Sequence, residues 1–166
     1  MTGLGWEPYE TPFGTGTVVG GPGGLAAVFF PGGGIGCRDA DVAGALGLAP
    51  GASPEVKVGV AWLEAYFSGE APACLPPLDW DRLGPATGSV LRAATTIPRG
   101  ETVTYGELAV LAGIASPRAV GQALARNPWP IVVPCHRVLG ASGLGGWSGP
   151  AGWKEQLLKI EGVSHP

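Results

Sequence analysis

The sequence predicts a two-part chain, an α/β first half followed by a mainly helical second half, and three observations carry that reading. Short apolar runs separated by glycine turns fill residues 6–30, the pattern of a small antiparallel meander. Helix start and stop signals cluster between Ser89 and Arg126. Between these regions, Gly69 through Pro77 is rich in Pro, Ala and Gly, and it coincides with a change in the sign of the charge. A linker is expected there and a boundary near residue 82, giving domains 1–81 and 82–166.

A chain of 166 residues buries about 70% of its unfolded surface, enough for one sizeable core or two small ones. Hydrophobic residues make up 45% and charged residues 14%, but 30 Gly and 17 Pro cut the apolar content into pieces far shorter than a membrane span. Met1 through Glu7 has neither the basic nor the apolar region of a secretory signal, so a cytoplasmic protein with no membrane partner is expected. Cys37, Cys74 and Cys135 are widely spaced, and His136 and His165 are the only histidines. That is too few for a zinc site at the usual spacings and does not suggest a disulfide framework; no metal is expected. The net charge of -3 argues against a generic nucleic-acid binder. It hides an asymmetry: residues 1–85 carry three Lys/Arg against nine acids, residues 86–166 seven against four. The second half is therefore the candidate anion-binding half.

Taken in order, Trp6–Glu10, Gly16–Gly20 and Leu25–Phe30 read as strands, with Gly20–Gly24 as a connector. Gly14-Thr15-Gly16 and Gly32 through Gly36 read as turns, because neither has the G-x-G-x-x-G spacing of a phosphate loop. Residues 39–48 suggest a short helix. Residues 55–68 suggest a longer one, with Val56, Val60, Leu63 and Phe67 at helical spacing to cover the sheet. An apolar helix around Ser89–Thr96 stops at Pro98. Thr104 and Glu107 form a capping box that opens a helix ending at Gly113. Ser116 caps and Pro117 starts another that runs to about Arg126. Helix, short turn, helix is the helix-turn-helix pattern. On its second helix Val120 and Leu124 point inward, while Ala119, Gln122, Ala123 and Arg126 share the opposite side. These side chains let another surface come close, and Arg118 and Arg126 flank them as cations.

Chemistry concentrates in Ile131 through Val138, where a branched apolar run ends on Cys135 between Pro134 and His136-Arg137. The run wants burial, Pro134 fixes the chain before the thiol, and His136 offers a base. Arg137 is expected to favour the thiolate, the form that attacks. A lone Cys-His pair is as often a buried cysteine beside a core histidine, so the residues on either side decide.

Those residues are Tyr105 through Ala109, Ser116 through Gly121, Asn127 through Val138, Gly143 through Gly149 and Lys154 through Gly162. Over about residues 85–163 they make the chain resemble the O6-alkylguanine-DNA alkyltransferases; the first half matches only in size and arrangement. The resemblance implies an RNase H-like sheet in the α/β domain and a helical domain containing the helix-turn-helix. It implies a monomer that binds double-stranded DNA through the minor groove, flips an O6-alkylguanine out of the stack and transfers the alkyl group irreversibly to Cys135, once per molecule and without a cofactor. It implies further that His136 deprotonates the thiol through water, Glu161 orients the imidazole and Asn127 braces the turn. Arg118 would fill the gap left by the base, and Tyr105 would turn the 3′-phosphate and donate toward the base. Pro130, Val138, Trp147 and Ser148 would form the guanine pocket, Val138 and Ser148 through their backbone. Trp147 stands where the family often has tyrosine, and Pro85 through Leu91 lacks the phenylalanine-glutamine and tryptophan common in bacterial members. The competing readings are a lesion-binding relative that does not repair, a cysteine hydrolase, and a helix-turn-helix regulator.

Overall fold

The computed structural model describes residues 3–32 and 47–164. The helix expected over 39–48 lies almost wholly outside the described residues, as do Gly33 through Gly36, Cys37 and His165. The chain divides into two compact units, Met1–Asp79 and Trp80–Pro166.

In the first unit β1 (Gly5–Thr11), β2 (Gly14–Gly21) and β3 (Gly24–Phe29) form an antiparallel meander. The short β4 (Ala49–Pro50) joins the free edge of β1 in parallel, for the order β3-β2-β1-β4. Glycine has a specific use in the central strand. Tyr9 faces Gly16 across the ladder, and a Cβ at Gly16 would fall 2.3 Å from the tyrosine ring. The ring thus lies on bare backbone, and its hydroxyl donates to the carbonyl of Phe29 at 3.0 Å. Helix α1 (Pro54–Phe67) starts on a proline and covers the sheet. Its buried stripe is Val56, Gly59, Leu63 and Tyr66, with Val60 and Phe67 only half-buried, so the expected face is rotated at two of four positions. The rotation follows from Gly59: a Cβ there would sit 2.7 Å from Leu25 Cδ1, so the helix meets the sheet at its smallest residue. The proline-rich segment expected as a linker is stitched to β3 at its end. Leu25 N donates to Pro77 O at 2.8 Å, and Asp79 N donates to Leu25 O at 3.0 Å.

The second unit contains a 3-10 turn (Trp80–Arg82), α2 (Pro85–Ala94), β5 (Val103–Thr104), α3 (Tyr105–Ala112), α4 (Pro117–Leu124), a 3-10 turn (Cys135–Arg137), β6 (Val138–Leu139) and α5 (Trp153–Ile160). Helix α2 begins before the expected Ser89, because Pro85 occupies its first turn. Helices α2, α3 and α4 pack mutually around Val90, Leu91, Leu108, Val120 and Leu124. The capping box at α3 is complete: Glu107 N donates to Thr104 Oγ1 at 3.2 Å, and Thr104 N donates to Glu107 Oε2 at 2.6 Å. Gly113 ends the helix in the left-handed conformation. Ser116 Oγ accepts from Arg118 N at 3.2 Å to start α4. Helix α4 stops at Leu124 rather than near Arg126, since the N–H groups of Arg126 and Asn127 turn back to the carbonyls of Ala123 and Leu124. Trp129 is fully buried with Trp80 edge-on at 4.9 Å, and the Arg92 guanidinium lies 4.1 Å over the Trp80 ring. Strands β5 and β6 pair in parallel, Val103 with Val138 and Thr104 with Leu139. Among the described residues no helix is long and apolar enough to cross a membrane.

Candidate active site

The segment after α4 is shaped by one amide side chain. Asn127 Nδ2 donates to Val133 O at 3.0 Å, and its Oδ1 accepts from Trp129 N at 2.9 Å, closing the turn from both sides. Inside it Ile131 is fully buried at φ 74°, a conformation that costs a β-branched residue about 1–2 kcal/mol. Buried Trp129 and Val133 on either side hold it there. The chain then passes through Pro134 into the single turn Cys135–Arg137. Three residues per turn point successive side chains about 120° apart. Cys135 accordingly lines a cleft, while His136 and Arg137 enter the core.

His136 is completely buried, and its Nε2 lies 2.7 Å from Glu161 Oε1. The same carboxylate, at the C-cap of α5, accepts from Arg137 Nε at 2.8 Å and from Arg137 Nη2 at 2.9 Å. An ionised carboxylate can only accept, so it fixes the proton on Nε2 and leaves Nδ1 with its lone pair. Nδ1 is buried and meets no protein hydrogen-bond partner. Burial is the main force lowering the His136 pKa, partly countered by Glu161. Burial also pushes the Cys135 thiol up, against the opposing pull of a hydrogen bond from Asn127 and the positive charge of Lys154. Both groups are therefore neutral near pH 7, and a thiol in that state needs a base before it attacks.

Arg137 does not take the place beside the thiol expected for it: its guanidinium is spent on Glu161 and on the carbonyl of Ile97, the latter at 2.6 Å. The cation that acts on the thiol is Lys154, which sequence reasoning passed over. It is 2% exposed and donates to Val138 O at 2.7 Å, Leu144 O at 2.6 Å and Gly146 O at 3.1 Å. In Trp153-Lys154-Glu155-Gln156 a lysine reads as the solvated face of a helix, and nothing local marks it as buried.

The cleft encloses about 470 Å³ and is lined by Cys135, Tyr105, Arg118, Gln122, Gly121, Leu124, Ala125, Pro117, Gly146, Trp147 and Ser148. It gathers Cys135, Tyr105, Arg118, Gln122, Trp147 and Ser148 from the expected set. Ala119 is exposed on α4, and Arg126 is exposed just past its end. Ala123 is a correction: it is 5% exposed and faces the core, because it stands three residues after Val120 on the same side of the helix. Pro130 and Val138 do not line the cleft. Pro130 bridges to Val133, and Val138 is fully buried with its carbonyl held by Lys154. The Tyr105 hydroxyl donates to Gly146 O at 2.9 Å, and burial raises its pKa, so it stays a phenol. The Trp147 indole N–H donates to Pro150 O at 2.8 Å rather than into the cleft, and its ring lies so near Gly149 that a Cβ there would be 2.5 Å away. Among the described residues no three His, Cys, Asp or Glu side chains could hold a metal ion. The arrangement is a neutral thiol, backed by a buried base, at the wall of a cleft with an arginine beside it. It suits nucleophilic displacement by the thiol at an electrophilic carbon held in the cleft.

Comparison with known proteins places this geometry. Residues 85–163 match the family described as 6-O-methylguanine DNA methyltransferase, DNA binding domain. The chain is 51% identical over 76 residues to the methylated-DNA--protein-cysteine methyltransferase of Methanothermobacter thermautotrophicus, spanning 45% of this chain and 43% of that relative, less than half its length. It is 46% identical over 103 residues to the DNA base-flipping protein of Thermus thermophilus, spanning 61% of this chain and 69% of that one. Among solved structures, the O6-methylguanine methyltransferase of Mycobacterium tuberculosis superposes with a TM-score of 0.75 at 33% identity, covering 95% of this chain and 92% of its own. A structure of that organism's OGT in complex with DNA gives 0.74 at 34% identity, with the same coverage. With a cysteine, a histidine and a glutamate set as described beside the cleft, the chain belongs to the 6-O-methylguanine DNA methyltransferase family.

Proposed function

We propose that the protein repairs O6-alkylguanine in double-stranded DNA by direct reversal, moving the alkyl group to Cys135 once per molecule. The observation that carries this reading is the His136–Glu161 contact at 2.7 Å behind a thiol that opens on the cleft. In the step proposed, the Cys135 sulfur attacks the alkyl carbon; the S–C bond forms as the C–O6 bond breaks, and the electron pair leaves with the guanine. The thiol's proton passes through water to His136 Nδ1, and Glu161 stabilises the imidazolium. The leaving guanine takes up a proton, and Tyr105 on the cleft wall is assigned as its donor, its hydroxyl turning from Gly146 O to do so. A thioether is a poor leaving group, so the protein is consumed.

Reaching O6 requires flipping the base, which costs a few kcal/mol of unstacking, least for a lesion that pairs badly. In this reading Arg118, which stands at the start of α4 and on the cleft wall, fills the gap, and α3 and α4 act as a helix-turn-helix in the minor groove. A monomer is sufficient for this chemistry, because one chain supplies the whole cleft.

The test is intact-mass analysis after incubation with a duplex containing O6-methylguanine. The expected result is the mass of one methyl group per protein, absent in Cys135→Ala; continued turnover over excess lesion refutes it. A second reading, binding without transfer, is favoured by the similarity to a DNA base-flipping protein. Lesion-dependent binding with no mass change would establish that one instead.

A further inference from the structure

Arg137 is a buried charge that the transfer reaction, as written above, does not use. Its guanidinium meets Glu161 side-on, with Nε on Oε2 at 2.8 Å and Nη2 on Oε1 at 2.9 Å, and its Nη1 is anchored on Ile97 O at 2.6 Å. Such a fork has one geometry, unlike the point charge of a lysine. Both carboxylate oxygens of Glu161 are thereby fixed, and Oε1 is shared between Arg137 and His136. The Glu161 side chain is fully buried and that of Arg137 10% exposed, so little solvent dilutes this charge. The other charged groups that face His136 are Glu161 and Lys154 from α5. Arg99, from the turn after Pro98, donates to Ile160 O at the end of the same helix.

We propose that Arg137 is a positioning residue for the proton-accepting pair His136–Glu161, holding the carboxylate in register and supplying the counter-charge that keeps the pair free of an extra proton until the thiol delivers one. This rests on the proposed alkyl transfer and deepens it. Without the arginine, a buried carboxylate beside an imidazole has no compensating charge, and the pair retains a proton to higher pH. Either the imidazole becomes a cation, or a neutral Glu161 donates to Nε2 and leaves the hydrogen on Nδ1. In both states Nδ1 cannot accept. The arginine's positive charge acts in this direction on His136, lowering its basicity.

The experiment pairs a titration with a rate, using the full chain with Arg137→Met and Arg137→Lys. NMR of the His136 ring follows its protonation whether or not alkyl transfer occurs. Arg137→Met is expected to raise the His136 midpoint and to cut reaction with O6-benzylguanine about tenfold at pH 6, with most of the rate recovered at pH 8.5. Arg137→Lys keeps the charge and loses the fork; its midpoint should stay with the parent while the rate falls at every pH. A folded Arg137→Met protein with an unmoved midpoint overturns the proposal. If that variant does not fold, Arg137→Lys decides: a parental rate overturns the proposal, and a lowered rate with a parental midpoint supports it. Failure of the transfer reading itself would appear separately, as a parent protein that gains no mass.

Discussion

Replacing Asn127 by alanine separates what the turn does for the fold from what it does for the chemistry. Two hydrogen bonds disappear, to Val133 O at 3.0 Å and from Trp129 N at 2.9 Å. At about 1 kcal/mol each the loss is about 2 kcal/mol. Two features keep it from growing larger. Val133 O retains the Cys135 N–H at 2.8 Å, so that carbonyl stays paired. Ile131, at φ 74°, gains freedom to relax out of a conformation costing about 1–2 kcal/mol, which offsets part of the loss. The chemical effect is the greater one. Asn127 also hydrogen-bonds the thiol and draws its pKa down, so its removal leaves burial less opposed. The thiolate fraction near pH 7 falls, and a relaxed turn no longer aims the sulfur. Urea unfolding measures the first effect, and iodoacetamide labelling of Cys135 across pH measures the second. The expected outcome is an unfolding free energy lowered by no more than about 2 kcal/mol, a thiol titration moved to higher pH, and transfer slowed at least about tenfold at pH 7. A variant with the parent's labelling profile, or with stability lost and transfer rate kept, would refute this account of Asn127.

Arg118→Ala should slow repair of duplex DNA about tenfold more than reaction with free O6-benzylguanine, because the free base needs no flipping; equal losses on both substrates would place the residue at the thiol instead. Glu161→Gln removes the group that raises His136 basicity, so the His136 midpoint should fall, opposite to Arg137→Met, and transfer should drop near neutral pH. Part of the rate returns at higher pH, where more of Cys135 ionises unaided; a pH–rate profile identical to the parent's would leave Glu161 as a helix cap only.

What could be read from the sequence was whatever short-range rules encode. The capping box at Thr104 and Glu107, the stop at Gly113 and the start at Ser116-Pro117 are local chemistry, and the structure has them. The meander was equally visible, since glycine turns and alternating apolar runs leave few other choices. Misreadings arose where a distant partner decides. The face of α1 turns on Leu25, which lies far away in the chain from Gly59 and fills the space of its missing side chain. Ala123 looked outward because small residues carry little signal of either kind, yet its spacing from Val120 puts it in the core. Arg137 and Lys154 were misplaced or missed for one reason: a long cation is assigned to water by default, and only the carbonyls and carboxylate that surround these two, brought from residues 97, 138, 144, 146 and 161, make burial tolerable.

The two-residue ladder between β5 and β6 has a bearing on how such a chain can vary. Thr104 is at once the last residue of β5 and the cap of α3, so Tyr105 follows the ladder directly; Val138 opens β6 directly after the Cys135–Arg137 turn. Pairing Val103 with Val138 and Thr104 with Leu139 therefore clamps the tyrosine and the thiol to one another, while the intervening residues with α3 and α4 hang from the clamp as a closed loop. Lengthening that loop in the turn between α3 and α4 leaves the distance across the clamp unchanged. Slipping the ladder by a single residue inverts every side chain on the strand that moves, and Tyr105 would leave the cleft. The turn able to accept insertions and the ladder able to accept none thus stand only one helix apart.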